Sequence, residues 1–358
     1  MHLTLFVPDL LWPDVENTPA FDFPGAGELA RVLSLAEPSR TPMSATDSWE
    51  SRLARFFGFD HPPLPLAALR ALGEGLPHTQ PMLCADPVNL DFMQQALVLS
   101  PVTAETLTEP ELQSLLDSLN EEFTGEGRFI AGPANKHAVH AYFIPADGNT
   151  SALPNLASTS RLAGRRIDAD ETRQILGREA LQWLNRIQMC LNQHPVNAMR
   201  EAQGLPVINS LWPWGLGTLE EAPTARFASA IGDSALLTGL CRASATPLNQ
   251  TRSFGTMTGD SLIVETGLAR AISHDDLPNW QNTITDLVAN WISPALSALE
   301  HRQHRLQSLT LICPGTHHEY RWSLHKTAKG IRGNLLQRCL GMRPKLPSLP
   351  MLVRSWSA

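Results

Sequence analysis

The hydrophobic positions of this chain fall into short unbroken runs and into longer periodic stretches. The short runs hold four to seven residues between turn-forming residues. Runs of this kind are typical of strands that are buried on both faces of a parallel sheet. They predict strands at Leu3–Val7, Ala96–Leu99, Ala138–Ile144, Ser261–Glu265 and Leu309–Cys313.

The periodic stretches repeat their apolar residues at helical spacing. They predict helices at Gly25–Leu35, Ser51–Phe57, Leu66–Leu72, Asp170–Asn192 and Trp280–Leu299. A further helix is expected after Thr108, which is a suitable cap and is followed by an acidic first turn. Strands that alternate with helices predict an α/β fold with a mostly parallel sheet flanked by helices.

The composition is that of a folded cytoplasmic protein. Hydrophobic residues make up 43% of the 358 residues, which is enough for a large core. The net charge of -7 weighs against a nucleic-acid partner. The chain has neither a transmembrane-length apolar run nor the features of a signal peptide. Its five cysteines are scattered and lack metal-ligand spacing, which predicts free thiols in a reducing cytoplasm.

The residues from 194 to 217 form a composite motif. The chain reads His194-Pro195-Val196-Asn197, then Arg200 and Asn209, and then WPWGLG at 212–217. This order resembles the archaeal-type cofactor-independent phosphoglycerate mutases, which have a His-Pro-Val-Asn sequence, an arginine and an asparagine before a W-x-W-G-x-G turn. A match of this length is more specific than a single glycine motif.

Weaker matches to the same family follow one another in the expected order. They are Val7-Pro8-Asp9, residues 56–62 (FFGFDHP) and residues 117–121 (DSLNE). The resemblance implies an alkaline-phosphatase-like α/β core with a smaller inserted α+β domain. It assigns residues 1–81 and 166–325 to the core, 82–165 to the insert and 326–358 to a basic C-terminal extension.

A second resemblance is narrower. The sequence ADPVNL at 85–90, together with Asn209-Ser210-Leu211-Trp212, resembles bacterial proteins described as regulatory proteins of the RpfE type. Those proteins are commonly labelled phosphoglycerate mutases by similarity. This resemblance therefore favours a degenerate branch of the mutase family.

The resemblance also implies a catalytic centre with two divalent metal ions, Mn or Zn, and a serine nucleophile. Such metals convert the serine to an alkoxide and neutralise charge on the transferred phosphoryl group. Asp9 lies where the first aspartate ligand is expected, although it equally suits a strand end or a turn cap. A gapless alignment puts the nucleophile at Trp49. Ser48 is therefore the candidate only with a shift of one residue, and the alternative is that Ser48 or Asp47 caps a helix.

Two carboxylate ligands of the family are replaced in this chain. After Glu265 the expected aspartate is absent, and His274 is the candidate for the following histidine. After the strand that ends at Cys313, Gly315 stands at the aspartate position, and His317 or His318 is the candidate ligand. His325 is the candidate for the family's final histidine. All of these histidines also fit ordinary polar loops. The replacements favour a non-catalytic or regulatory protein, a pseudoenzyme. The alternative is an active metal-dependent phosphoglycerate mutase or phosphatase with a rebuilt site.

The retained motif residues are not metal ligands. They are His194, Asn197, Arg200, Asn209, Trp212 and Trp214. One interpretation is a polar pocket for a small anionic ligand that Arg200 clamps. The other is structural, with a helix end and two tryptophans that pack against a sheet.

The basic C-terminal extension has two interpretations as well. After Glu319 the chain contains no acidic residue, and apolar residues alternate with positive charge. Such a segment suits a protein partner or an anionic membrane surface. It equally suits packing on its own domain or on a second copy of the chain, so a homo-oligomer stays open.

Overall fold

The computed structural model describes residues 1–14, 18–93, 96–103, 105–134, 138–151, 153–220, 223–224, 226–250, 253–327, 330–331 and 348–357. These residues belong to two compact units. Unit 1 comprises Met1–Ser44, Ala225–Ser234 and Ala245–Ala358, and unit 2 comprises Ala45–Thr224 and Ala235–Ser244.

Strands and helices follow one another along most of the described chain. The strands are β1 (His2–Phe6), β2 (Glu37–Pro42), β3 (Met82–Met93), β4 (Ala96–Pro101), β5 (Gly127–Ala131), β6 (Ala141–Pro145), β7 (Arg166–Asp168), β8 (Ser210–Gly217), β9 (Ser229–Ile231), β10 (Leu248–Asn249), β11 (Ser261–Val264), β12 (Ser308–Pro314), β13 (His318–Thr327) and β14 (Gly330–Ile331). The α-helices are α1 (Ala26–Leu35), α2 (Trp49–Phe56), α3 (Leu66–Glu74), α4 (Glu109–Glu122), α5 (Thr159–Leu162), α6 (Ala169–Ile175), α7 (Arg178–Leu191), α8 (Pro195–Ala202), α9 (Ala235–Ala243), α10 (Gly267–Ser273), α11 (Leu277–Leu287), α12 (Ser293–Glu300) and α13 (Leu349–Ser357).

Unit 1 is built on a mostly parallel sheet. The strand order is β10-β9-β11-β1-β12-β13, and both β2 and β14 pair with β13. The strands from β10 to β12 are parallel, whereas β13 runs antiparallel to β12 and to β2. Leu3 and Leu5 of the central strand β1 are fully buried, as expected for a strand covered on both faces. The predicted α/β fold with a mostly parallel sheet is thereby confirmed.

Unit 2 is built on an antiparallel sheet. Its strand order is β5-β6-β3-β4-β7, and β8 pairs with β3. An aromatic cluster packs helices α4 and α7 against this sheet. Its rings have centroids between 4.8 and 6.2 Å apart and belong to Phe123, Phe129, Phe143 and Trp183.

The boundaries of the two compact units differ from the boundaries of the predicted domains. The predicted insert, residues 82–165, lies entirely within unit 2, but residues 45–81 and 166–224 belong to that unit as well. The pairing of β3 with β8 explains the difference, because it joins residues on both sides of position 165 in one sheet. The predicted boundaries at 82 and 165 thus fall inside a compact unit.

The WPWGLG sequence forms a strand and not the predicted turn. All six of its residues belong to β8, which runs antiparallel to β3 with a register shift between Met82 and Cys84. Gly215 has a φ of 70°, and a Cβ atom there would lie 3.1 Å from the Cβ of Leu66. The glycine therefore permits both the irregular backbone and the close approach of α3.

The prediction of one helix over Asp170–Asn192 is wrong. Helix α6 ends at Ile175, and α7 begins at Arg178. Leu176 and Gly177 have extended ψ values of 90° and 175°. The apolar spacing continues across this break, so periodicity alone concealed it.

The described part of the basic extension packs on its own unit. Helix α13 contacts α1, and its residues Leu349 and Val353 are buried in the core of unit 1. Residues 328–329, 332–347 and 358 of the extension lie outside the described residues. Among the helices of the described chain, none combines the length and the apolar character needed to cross a membrane.

Candidate functional site

The carboxyl ends of the parallel strands in unit 1 lie along one edge of its sheet. Open α/β sheets bind ligands at this edge. Strand β1 lies between β11 and β12, and these three strands are followed by Asp9, Glu265 and Gly315 respectively. The predicted metal ligands Asp9, His274 and His317 likewise come after these three neighbouring strands, with His274 separated from β11 by α10.

Asp9 is fixed through its backbone. Its φ of 55° is left-handed, a conformation that aspartate adopts more readily than most residues. Its N–H donates to the carbonyl of Pro314 at 3.1 Å, and its carbonyl accepts from the indole Nε1 of Trp280 at 3.2 Å. Asp9 thus ends β1 in a tight turn that other parts of unit 1 hold in place.

An aromatic cluster surrounds the indole that holds this turn. Trp280 is fully buried, and its neighbours meet it edge to face with ring centroids 5.7 to 6.3 Å apart. They are Trp12, Phe21 and Phe23, which all belong to the segment that follows β1. The loop after β1 is therefore packed as hydrophobic core.

The side chain that follows β11 also binds to the backbone. Glu265 follows the strand, and its Oε1 accepts the N–H of Gly267, the first residue of α10, at 2.9 Å. His274 lies at the other end of this helix and is exposed. Its Nδ1 lies 2.9 Å from the carbonyl of Arg270 and 3.0 Å from Oγ of Ser273. The imidazole thus contacts the last turn of α10.

The end of β12 carries no carboxylate. The N–H of Gly315 donates to the carbonyl of His318 at 3.0 Å and so closes a tight connection to β13. His317 lies in this connection with an exposed side chain, and its carbonyl accepts from the N–H of Met43 at 2.9 Å. Burial raises the pKa of the nearby Cys313 thiol to about 12, and the charge of Asp9 contributes to the rise.

The donor set of unit 1 does not fit a two-metal centre. Such centres need several carboxylate and imidazole ligands that converge. Within the described ranges, three or more His, Cys, Asp or Glu side chains nowhere form a group able to hold a metal ion. Gly315 has no side chain to offer as a ligand, and Glu265 accepts a hydrogen bond from the backbone of α10.

Ser48, the candidate nucleophile, belongs to unit 2 and caps a helix there. It is only 4% exposed, and its Oγ accepts the N–H of Ser51 at 3.3 Å while Ser51 Oγ accepts the N–H of Ser48. The two serines form a capping box at the start of α2, whose first residue is Trp49. Asp9, His274 and His317 belong to unit 1.

The helix-end part of the motif forms a buried hydrogen-bond network in unit 2. His194 caps α8 through Nδ1. Asn197 donates to the carbonyls of Leu191 and Ile208 and accepts from the N–H of Ile208, all at 2.9 Å. The network joins the end of α7 to the segment before β8.

Arg200 is 1% exposed and is surrounded by acceptors from its own unit. Its Nε donates to the carbonyl of Pro206 at 2.8 Å, and one terminal nitrogen donates to the carbonyl of Thr106. The same nitrogen lies 3.6 Å from a carboxylate oxygen of Glu111. Two of the three guanidinium nitrogens are therefore bound within unit 2.

The remaining motif residues connect β3 and β8. The side chain of Asn209 accepts from the N–H of Leu90 and donates to its carbonyl, both at 2.8 Å, and so imitates a strand partner. Trp212 donates to the carbonyl of Ala157 at 2.8 Å, and Trp214 donates to a carboxylate oxygen of Asp86 at 2.7 Å. Asp86 and Leu90, both from the ADPVNL sequence at 85–90, therefore hydrogen-bond to Trp214 of β8 and to Asn209 just before it.

Asp86 belongs to a buried polar chain that the sequence analysis missed. Arg70 of α3 donates to both of its carboxylate oxygens, at 2.7 and 2.9 Å, and its Nε donates to the hydroxyl of Tyr142 at 3.0 Å. That hydroxyl donates to Glu74 at 2.6 Å, and the other oxygen of Glu74 lies 2.5 Å from Nδ1 of His140. We call these five residues, Arg70, Asp86, Tyr142, Glu74 and His140, the polar chain.

The charges of the polar chain are stabilised by one another. Burial alone raises the pKa of a carboxyl group, but Arg70 more than offsets this effect and lowers the pKa of Asp86. Burial also opposes ionisation of Glu74, yet His140, Arg70 and the Tyr142 hydroxyl together lower its pKa. Arg70 is further flanked by the rings of Tyr142 and Trp214, with centroids 4.6 and 5.2 Å from its guanidinium carbon.

One feature of the sequence indicates the polar chain. Arg70 interrupts the apolar residues 66–72 (LAALRAL), which are nearly all buried. A charged residue within a buried stretch requires a partner. The sequence does not identify that partner, because Asp86 comes 16 residues later and on a strand.

A second buried carboxyl group in unit 2 has hydroxyl and backbone partners. Glu50 is 4% exposed and accepts from the hydroxyls of Ser158 at 3.0 Å and Ser160 at 2.8 Å. Burial raises its pKa, and the hydrogen bonds offset this only in part. No cation bonds to Glu50 among the contacts of the described residues, in contrast to Asp86.

Comparisons with known proteins give limited matches. No protein-family profile matches the chain. The 2,3-bisphosphoglycerate-independent phosphoglycerate mutase of Methanosarcina mazei is 27% identical over 121 residues, which is 34% of this chain and 29% of that relative. The match thus spans less than a third of the relative's length.

Two solved structures are similar to the chain over most of its length. One is a cofactor-independent phosphoglycerate mutase from Thermoplasma acidophilum, with 16% identity, a TM-score of 0.40 and coverage of 99% of both chains. The other is the PH0037 protein from Pyrococcus horikoshii, with 12% identity, a TM-score of 0.45 and coverage of 94% of this chain and 92% of that one.

Proposed function

We propose that this chain is a non-catalytic or regulatory member of the phosphoglycerate mutase family, with an alkaline-phosphatase-like core. The ordered motif matches and the local similarity to the Methanosarcina mazei enzyme support the family. The proposal includes the RpfE-type branch, which the ADPVNL sequence at 85–90 favours. A cytoplasmic location also belongs to the proposal.

One observation carries the proposal of lost catalysis. At the carboxyl edge of the parallel sheet, Gly315 replaces a carboxylate and Glu265 bonds to the backbone of α10. Phosphoryl transfer with a serine nucleophile requires a metal-bound alkoxide and charge neutralisation at that edge. The side chains that follow β11 and β12 do not supply the ligands for either task.

The surroundings of Ser48 support the same conclusion. A nucleophilic serine needs a hydroxyl that substrate can reach and a group that removes its proton. Ser48 is buried, caps α2 and hydrogen-bonds to Glu50, whose pKa is raised by burial. The hydroxyl thus has a structural function in unit 2.

The alternative is an active phosphoglycerate mutase or phosphatase with a rebuilt site. It would use Asp9, Ser48, His274 and His317, with Mn or Zn as the metal. The last turn of α10 holds His274, and the turn at the end of β1 holds Asp9. A rebuilt site would therefore require these segments to rearrange.

An assay of the purified full chain tests the proposal. We expect no interconversion of 2-phosphoglycerate and 3-phosphoglycerate, and no phosphatase activity, with Mn²⁺ or Zn²⁺ added. A catalytically active family member assayed in parallel provides the positive control. Metal analysis after gel filtration is expected to find less than one Mn or Zn per chain.

Two variants decide how any activity is interpreted. Turnover that disappears in both Ser48→Ala and Asp9→Asn, while circular dichroism shows folded protein, would overturn the proposal and support the rebuilt site. Turnover that both variants retain would identify a contaminating enzyme. Ser48→Ala is expected to cost about 1 kcal/mol of stability as a lost helix cap.

A further inference from the structure

The end of α3 and the start of β6 meet through a buried pair of opposite charges. Glu74 is the last residue of α3 and exposes 4% of its side chain, whereas His140 lies just before β6 and exposes 15%. Nδ1 of His140 lies 2.5 Å from Oε1 of Glu74. The polar chain therefore ends in a pair that joins two elements 66 residues apart in the sequence.

The charges of the polar chain fit a pair in which both members are ionised. Burial alone raises the pKa of Glu74, but the hydrogen bond and the charge of His140, together with the charge of Arg70, lower it. Burial also opposes ionisation of Asp86, and the charges of Arg70 and His140 lower the pKa of that carboxyl group. Both effects of His140 are those of a positively charged imidazolium.

The titratable groups around the pair come from α3, β3, β6 and the start of α4. They are Arg70 of α3, Cys84 and Asp86 of β3, Tyr142 of β6 and Glu109 of α4. Both terminal nitrogens of Arg70 donate to the carboxylate of Asp86. Among the described residues, His140 is therefore the cation that hydrogen-bonds to Glu74.

Gly132 brings the other strand of the hairpin to the same place. Its N–H donates to the carbonyl of His140 at 2.8 Å, which continues the pairing of β5 with β6 beyond Ala131 and Ala141. A Cβ atom at position 132 would lie 2.9 Å from a carboxylate oxygen of Glu74 and 3.1 Å from the Cβ of His140. Both strands of the β5–β6 hairpin thus approach Glu74 at this end.

The sheet holds this end of the hairpin weakly. Strand β5 is an edge strand, and β6 pairs with β3 at two positions, where Phe143 and Tyr142 of β6 face the partner strand. Helix α3 adds two attachments, because Arg70 donates to the carbonyl of Ala141 at 3.2 Å and Glu74 binds His140. An edge segment with few pairs opens locally more easily than a central strand does. Of the two attachments, the one through His140 depends on a group whose charge changes near neutral pH.

We propose that the Glu74–His140 pair is a pH-sensitive latch that holds the β5–β6 hairpin on α3. While the imidazole carries two protons, the pair is a partly buried ion pair, and the end of the hairpin is closed. When the ring releases one proton to solvent, the attraction between opposite charges is lost and the hairpin end opens more often. The inference rests on unit 2 alone and does not depend on the proposed loss of mutase chemistry.

The direction of the pH effect follows from the two charges. The closed form is favoured at low pH and weakens as the pH rises and His140 loses its charge. The lowered pKa of Glu74 keeps the carboxylate ionised to below pH 4.5, so the pair persists on the acidic side. A histidine side chain ordinarily changes its charge between about pH 5 and pH 8, which sets the range to be measured.

Hydrogen–deuterium exchange of the full chain, followed by mass spectrometry between pH 5.5 and pH 8.5, tests the latch. Rates are corrected for the intrinsic pH dependence of amide exchange. We expect the protection of residues 127–132 and 140–145 to fall about fivefold across this range, as for the loss of one ion pair. Strand β4 of the same unit is the internal control and should keep its protection. Protection of the hairpin that stays constant or increases with pH would overturn the proposal.

Three variants locate the switch. His140→Gln keeps a donor for Glu74 but no charge, so the protection of the hairpin should stay at its high-pH value over the whole range. Glu74→Gln removes the other charge and should also abolish the pH dependence. His137→Gln replaces a neighbouring histidine of the sequence and, as the matched control, should retain it. A pH dependence that survives His140→Gln, or one that His137→Gln abolishes, would contradict the latch. Circular dichroism checks that each variant is folded, and the profile of the natural chain decides where one is not.

Discussion

The strand ends of unit 1 and the polar chain of unit 2 use charged residues in opposite ways. Asp9 and Glu265 lie at the edge where related folds bind ligands, yet their observed contacts shape turns and a helix start. Arg70 and Asp86 lie in an apolar interior and are joined by two hydrogen bonds. The contacts described for Asp9 and Glu265 thus involve backbone groups, whereas the buried ion pair lies in unit 2.

Under the proposed loss of catalysis, a sequence motif persists although the catalytic centre does not. The motif residues from His194 to Trp214 are held in place by buried hydrogen bonds to the backbone. Losing such a bond leaves a buried group unsatisfied, and this costs stability whether or not the protein is an enzyme. Under the same proposal, a metal-ligand position carries no such cost, and a residue such as Gly315 is tolerated there.

The largest expected effect is on the polar chain. Asp86→Ala leaves Arg70 buried without its carboxylate, and removal of one partner from a buried pair costs about 3–5 kcal/mol. Urea unfolding followed by circular dichroism measures the loss. The control is Asp170→Ala, which breaks the exposed pair with Arg173 and should cost at most about 0.5 kcal/mol.

A double variant sharpens this first prediction. Arg70→Met combined with Asp86→Leu replaces the pair by apolar side chains and should recover much of the loss. A loss below about 1 kcal/mol for Asp86→Ala would contradict this prediction. It would show that the charges of the polar chain contribute no more to stability than those at the strand ends of unit 1.

Much of the fold was predictable from periodicity. The apolar runs at β1, β11 and β12 are buried on both faces, so the pattern and the structure follow from the same cause. Periodicity failed where a single residue changes the path of the chain. Gly177 separates α6 from α7 without disturbing the apolar stripe, and Gly215 permits a bulge where a turn was expected.

The candidate site was less predictable because its contacts are distant in sequence. The capping function of Ser48 is local and followed from its position before a helix. Arg70 and Tyr142 are 72 residues apart, and Trp280 and Asp9 are 271 residues apart. Spacing along the chain carries no information on such pairs, and only the fold brings them together.

An intermediate effect is expected at the strand ends of unit 1. Trp280→Phe keeps an aromatic ring but removes the indole donor to Asp9 and part of the packing, at a cost of about 2 kcal/mol. Trp183→Phe is the matched control, because Trp183 is also buried among aromatic rings and its Nε1 has no partner within the described residues. It should cost clearly less in the same urea unfolding measurement. Equal costs would indicate that packing alone, without the hydrogen bond, holds the turn at Asp9.

The smallest expected effect concerns Glu50, the buried carboxyl group whose partners are hydroxyls and a backbone N–H. Its pKa is raised above 4.5 by burial, so the folded state binds the proton more tightly than the unfolded chain. The corresponding stability is fully present below pH 4.5 and is lost as the pH rises through the raised pKa. Glu50→Gln keeps acceptors for Ser158 and Ser160 but stays neutral. The variant should therefore gain stability relative to the natural chain as the pH rises, and the gain should level off above the raised pKa. Unfolding curves over this pH range, with exposed Glu121→Gln as the control, measure the difference. If the stability difference between Glu50→Gln and the natural chain does not change with pH, Glu50 is an ionised carboxylate in the folded state, as Asp86 is.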